Sequence, residues 1–137
     1  VRTLKELEKI YGTYFWFDVV LACEVLEHLE NPLQALKEMN QQLKKGGKLI
    51  LILPIEKDTK PTMLDVNQHL YSWKPQSITN LLLRAGFYPV KYEILRASGF
   101  KKLLWASRIS FGLYLFLIKL AAIITGSKHM KIIAVKR

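Results

Sequence analysis

The chain holds a single cysteine, Cys23, so no disulfide can form within it. No secretory signal pattern opens these residues, and the two absences together point to a reducing, cytoplasmic setting. Acid is missing from one end. Residues 94–137 carry nine Lys or Arg and neither Asp nor Glu, whereas residues 1–93 balance 12 basic against 11 acidic side chains. The net charge of +10 therefore belongs to the C-terminal third. That asymmetry argues for an anionic partner, a membrane surface ahead of nucleic acid. Nucleic acid is not expected, because aromatic and basic residues do not interleave on a sheet face and no recognition motif is present. At 137 residues the chain suffices for one domain with its own core.

What is present is concentrated in residues 17–54. Two apolar, β-branched or Leu-rich runs, Phe17 to Leu21 and Lys48 to Leu53, flank a helical pattern and read as strands buried on both faces of a parallel sheet. Asn31 suits an N-cap, Pro32 the first helical position and Gln34 the third position of a capping box. Leu33, Leu36, Met39 and Leu43 form the buried stripe, Lys44 and Lys45 meet the negative end of the helix dipole, and Gly46 and Gly47 supply the stop. The unit is a right-handed βαβ crossover.

Its first strand runs into Ala22, Cys23, Glu24, Val25, Leu26, Glu27 and His28, which places polar groups at the carboxyl edge of the sheet, where open α/β folds bind ligands. Asp18, at the opposite edge, reads as a partner of local donors. No metal is expected at the corner: Glu-x-x-Glu-His lacks the paired histidines of zincin-type motifs, and no second His-and-carboxylate cluster follows in sequence. Cys23 reads as a small buried residue with no base beside it in sequence. Glu27 and His28 are either chemical groups or caps that fix the corner.

The string FDVVLACEVLEHLENPLQALKEMNQQLKKGGKLILILP resembles the central stretch of class I S-adenosylmethionine-dependent methyltransferases of the small-molecule branch, whose pattern is roughly FDxVxxxEVLEHLxxPxxxLxExxxxLKxGGxLxxxxP. A weaker echo runs from His69, Leu70, Tyr71, Ser72, Trp73, Lys74 and Pro75 to Leu83, Arg84, Ala85, Gly86 and Phe87. The resemblance implies a partial Rossmann-like α/β fold, with a mostly parallel sheet and a last antiparallel strand inserted between its two predecessors. It implies S-adenosylmethionine as cofactor, its methionine end lined by Ala22, Cys23, Glu24 and Val25. Glu27 and His28 would stand at the acceptor mouth, with His69 as a second candidate base. The family's Gly-rich turn and ribose-binding acid belong upstream, yet only Gly12 precedes Phe17. The chain thus reads as the C-terminal half of such an enzyme, partnered by a missing N-terminal half, and these residues alone are not expected to bind the cofactor appreciably.

Further on, the sequence predicts a helix over residues 3–11, a specificity loop after Ile55, and a helix from Pro75 whose N-cap, Lys74, departs from the Ser or Thr usual in the family. Residues 100–125 read as one long apolar helix on which Lys101, Arg108 and Lys119 share a narrow stripe. It could lie in the plane of an anionic membrane, cross one, or cover the sheet or a protein partner. The division expected is 1–98 as the methyltransferase part, 99–127 as the apolar and basic insertion and 128–137 as the final strand. The expected function is methylation of a small-molecule or lipid-linked acceptor, in the cytoplasm or peripherally at the inner membrane surface. The rival is a non-catalytic module that attaches to membrane or protein.

Overall fold

The computed structural model describes residues 16–56, 68–96 and 101–137. The helix expected over residues 3–11 and most of the expected specificity loop lie outside them. Strand β1 (Phe17–Cys23) leads through a 3-10 turn (Leu26–His28) into helix α1 (Pro32–Gln42) and strand β2 (Leu43–Ile55). Helix α2 (Pro75–Arg84) and strand β3 (Phe87–Leu95) follow, then a 3-10 stretch (Lys101–Arg108), helix α3 (Phe111–Thr125) and strand β4 (Lys128–Lys136).

The sheet order is β1-β2-β4-β3. β1 and β2 are parallel, as their apolar runs predict, and β4 lies antiparallel between β2 and β3, which is the inserted last strand that the resemblance implies. A mostly parallel sheet is not what forms. One of the three strand pairs is parallel, because the inserted strand reverses direction against both neighbours.

Side chains of β2 alternate about the pleat, so Leu49, Leu51 and Leu53 are fully buried on one face and meet Ala134, Ile132 and Met130 across the β2–β4 ladder. Leu36 of α1 and Ile78 and Leu82 of α2 close this layer. Burying each such Leu contributes about 1.5–3 kcal/mol. The other face departs from the expectation of strands buried on both sides. Val19 and Leu21 are 48% and 62% exposed, and β1 is an edge strand with no partner beyond it among the described residues.

Helix α1 starts as its punctuation predicts, with Asn31 Oδ1 accepting from the Gln34 N–H at 3.0 Å and Pro32 opening the first turn. The side chain of Gln34 turns instead to Glu38, so the capping box is half formed. The helix ends at Gln42, earlier than the expected stop at Gly46 and Gly47, because Leu43 is already extended and pairs with Phe17. The cation at its carbonyl end is Lys136, whose Nζ donates to the Asn40 and Leu43 carbonyls at 2.7 Å each. Lys44, expected there, pairs with Asp18 at 2.8 Å. At α2, Ser77 makes the cap that Lys74 lacks: its hydroxyl accepts from the Lys74 N–H and donates to the Lys74 carbonyl.

The long apolar helix is not continuous. It is a 3-10 stretch and an α-helix separated at Ile109 and Ser110, where Ser110 is extended at φ −158°. Ser107 already diverts the Leu104 carbonyl into a side-chain bond of 2.6 Å, a competition with the helix that serine is built for. Arg108 and Lys119 therefore do not share one stripe. The two pieces pack on each other, burying Ala106 and Ala122, and leave Phe111, Phe116, Ile123 and Ile124 more than half exposed. Among the described residues no helix is long and apolar enough to cross a membrane.

Candidate active site

The carboxyl ends of β1 and β2 and the beginning of β4 meet at one sheet edge, since β4 runs the other way. Every polar candidate from the sequence lies there. As β1 ends, Glu24 takes a left-handed backbone (φ 52°) and its N–H donates to the Ile52 carbonyl at 2.8 Å, which turns the chain off the sheet. Gln68, at the end of the following connection, is also left-handed (φ 51°). Non-glycine residues in that region carry strain, which gathers at functional sites.

The 3-10 turn buries Leu26 and Glu27 completely and leaves His28 at the surface. The backbone carbonyl of Glu27 accepts from the Leu70 and Tyr71 N–H groups at 2.7 and 3.3 Å. That double contact fastens the second segment to the corner and carries His69 against His28, ring centroids 4.7 Å apart in an edge-to-face arrangement. The Tyr71 hydroxyl donates to the Glu30 carbonyl at 3.0 Å, and the Tyr71 ring stacks on the buried Trp73. Glu27 and His28, adjacent in sequence, and His69, from a separate segment, thus come together: one donor atom from each lies within 4.8 Å of the others.

Neither carboxylate oxygen of Glu27 has a hydrogen-bond partner among the described residues, although both are buried. Burial holds this carboxyl above the ordinary range. The field of its own backbone N–H, which makes no formed hydrogen bond to it, and the nearby His69 and His28 pull it partway back, and Glu24 pushes it up again. His69 is held from behind by Glu56, which bonds its Nδ1. On the other flank, Glu24 Oε1 bonds His129 Nε2 at 2.7 Å.

Of the residues expected at the cofactor, Ala22 is buried in the sheet's packed face, while Cys23, Glu24 and Val25 are exposed at the edge. Cys23 is thus not the small buried residue expected. Its thiol is still pushed above the ordinary thiol range, by partial desolvation first and then by the charges of Glu24 and Glu27, so it is a poor nucleophile. Sequence reasoning missed Glu56 and His129. His129 was findable: an inserted antiparallel strand must begin at the edge where its neighbours end.

Beside the corner, Ile55, Glu56, Trp73, Lys74, Tyr92 and Met130 line a cavity of about 290 Å³. Glu56 belongs to both. Its carboxylate faces His69 and its side chain borders the cavity.

A family model described as a methyltransferase domain matches residues 12–92. No curated protein sequence matches the chain. Among solved structures, it is similar to the 1,6-didemethyltoxoflavin-N1-methyltransferase of Burkholderia thailandensis, with 15% identity and a TM-score of 0.61 over 96% of this chain and 55% of that one. It is also similar to phosphoethanolamine N-methyltransferase 2 of Haemonchus contortus, solved with phosphomonomethylethanolamine and S-adenosylhomocysteine (16% identity, TM-score 0.53, 91% of this chain and 35% of that one). A third is a cyclase, SpnF (16% identity, TM-score 0.57, 93% and 53%). The chain spans about half the length, or less, of these three structures. At such identities the likeness establishes the fold, and the cyclase among the three shows that this fold hosts more than one reaction.

Proposed function

The chain belongs to the methyltransferase-domain family, and from that premise we propose that it carries the acceptor side of an S-adenosylmethionine-dependent methyltransferase acting on a small molecule. The observation that carries the proposal is the convergence of Glu27, His28 and His69 at the carboxyl edge of the sheet, next to the exposed Cys23, Glu24 and Val25 and a cavity of about 290 Å³. That volume suits a small acceptor.

S-adenosylmethionine supplies an electrophilic methyl group on a sulfonium. The residues that would hold its methionine end are Cys23, Glu24 and Val25, exposed at the edge, with the backbone of Ala22. The exposed carboxylate of Glu24 suits an ammonium group, and the raised thiol of Cys23 stays neutral beside it. Trp73, Tyr92 and Met130 give the cavity the apolar wall that excludes water from a displacement reaction. In this reading His69, bonded to Glu56, and His28 take a proton from an acceptor hydroxyl or amine, which their contact with each other supports.

The test is ultraviolet cross-linking of the chain with tritiated S-adenosylmethionine at millimolar concentration, where even the weak binding expected of these residues alone leaves label, followed by peptide mapping. Label on the peptide that contains residues 22–28 supports the reading. Label confined to the amino edge, around Asp18 and Lys44, overturns it.

A second reading rests on the apolar surface of the 3-10 stretch and α3, where Leu104, Trp105, Phe111 and Phe116 are all more than half exposed close to Arg108 and Lys119. It places this pair against an anionic membrane that presents a lipid-linked acceptor. Co-sedimentation with phosphatidylserine vesicles tests it: Arg108→Glu with Lys119→Glu abolishes pelleting if it is right, and unchanged pelleting removes it.

A further inference from the structure

Glu27 poses a physical problem that methyl transfer does not solve. Its carboxyl group is wholly buried and both oxygens lack a partner among the described residues, an arrangement that normally costs a protein stability unless something meets the charge. Two imidazoles stand beside it. Their donor atoms and a Glu27 oxygen all fall within 4.8 Å of one another, and ligands on a tetrahedral cation with bonds of about 2.1 Å are roughly 3.4 Å apart. Small side-chain rotations close that gap. We propose that Glu27, His28 and His69 form a binding site for a divalent transition cation of the zinc class.

The donor set chooses the cation. Two neutral nitrogens and one carboxylate suit zinc, cobalt or ferrous iron, whereas magnesium and calcium want oxygen ligands throughout. Three protein ligands leave at least one position open for water or for an acceptor oxygen, the hallmark of a catalytic site. The surroundings match as well. Glu56 on Nδ1 of His69 leaves Nε2 as the ligating atom and fixes the ring, the outer-shell contact that metal-bound histidines keep. The Glu27 carbonyl, clamped by Leu70 and Tyr71, holds the two contributing segments in register. The metal that local spacing and the lack of a second His-and-carboxylate cluster in sequence spoke against becomes feasible because His69 alone arrives from a separate segment.

Binding of the cation does not depend on the methyltransferase reading. Its consequence does: with the cation in place, His28 and His69 are ligands rather than bases, and a hydroxyl acceptor loses its proton to solvent or buffer while its oxygen rests on the cation. The site then favours acceptors that present an oxygen over those that present an amine.

The experiment uses the metal alone with the 137-residue chain, stripped with chelator and titrated with Co²⁺ while the visible spectrum is read, and with Zn²⁺ while heat is read. The expected result is one equivalent bound with a dissociation constant of micromolar order, a visible d–d band that Zn²⁺ bleaches, and loss of at least about 100-fold in affinity in Glu27→Gln and in His69→Ala. His129→Gln, which removes the third histidine and lies outside the set, keeps full binding. No stoichiometric band in the wild-type chain overturns the proposal whether or not the variants fold, and so does equal loss in His129→Gln. Cross-linking to S-adenosylmethionine can succeed where cobalt fails, or fail where cobalt succeeds, so the two readings stand or fall separately.

Discussion

Replacing Glu27 by Met should make the metal-free protein more stable at neutral pH. The carboxyl group has no solvent exposure and neither oxygen is paired among the described residues, so ionising it in place is unfavourable, and burial raises its pKa as a result. The native state therefore keeps this proton to a higher pH than the unfolded chain does. Between the ordinary glutamate range, about 4.3, and the raised value, the native state binds more protons, so stability falls as pH rises through that window and stays lower above it. An unsatisfied buried polar group costs about 1–3 kcal/mol and a charged one more, while an apolar side chain of similar volume removes the penalty. Glu27→Met should thus gain about 1–3 kcal/mol at pH 8 in chelator, with the gain shrinking toward pH 4.5. Urea titrations followed by tryptophan fluorescence, in which Trp73 is the buried reporter beside the exposed Trp16 and Trp105, measure it. A loss of more than about 1 kcal/mol in Glu27→Met at pH 8, or one pH dependence shared by wild type and variant, would show that the buried carboxyl group is not a net cost.

Three further perturbations test the scaffold. Leu51→Ala removes a fully buried side chain from the central β2 strand and should cost about 2–5 kcal/mol by the same urea assay, while leaving the m-value unchanged. Gly47→Ala should cost about 1–3 kcal/mol in thermal unfolding, because an added Cβ would stand 2.8 Å from the Lys44 carbonyl oxygen and 3.2 Å from that of Phe17, both backbone atoms that cannot swing aside. Asn31→Ala removes the side-chain acceptor of the Gln34 N–H and should cost about 1 kcal/mol, with loss of helical circular dichroism confined to a turn or so.

The β1–α1–β2 crossover was legible because its signals are local. Asn31 and Pro32 announce the helix, and the apolar runs announce two parallel strands. Local signals also misled. Gly46 and Gly47 look like a helix stop, yet α1 ends at Gln42, since pairing of Leu43 with Phe17 across the sheet outweighs three more helical residues. In residues 100–125 the apolar run hid its own punctuation: Ser107, Ser110 and Gly112 are weak helix residues, and the chain breaks among them. The exposure of Val19 and Leu21 was not legible, because a continuous apolar run says what a strand can bury and not what is there to bury it.

At the site, residue types were legible and their company was not. Glu24, Glu27, His28 and His69 were all candidates, but the backbone bonds from Leu70 and Tyr71 to Glu27 that unite two segments leave no trace in spacing. Glu56 and His129 became part of the edge only through the register of β2 and β4.

Under the proposed function, the methyl donor's skeleton rests at the carboxyl-edge corner. Nuclear magnetic resonance of the ¹⁵N-labelled chain, titrated to millimolar S-adenosylhomocysteine, tests that directly. Amide shifts that grow at Cys23, Glu24, Val25 and Glu27 are predicted. Shifts centred on α3, or on Lys44 to Lys48 at the far edge, would contradict it.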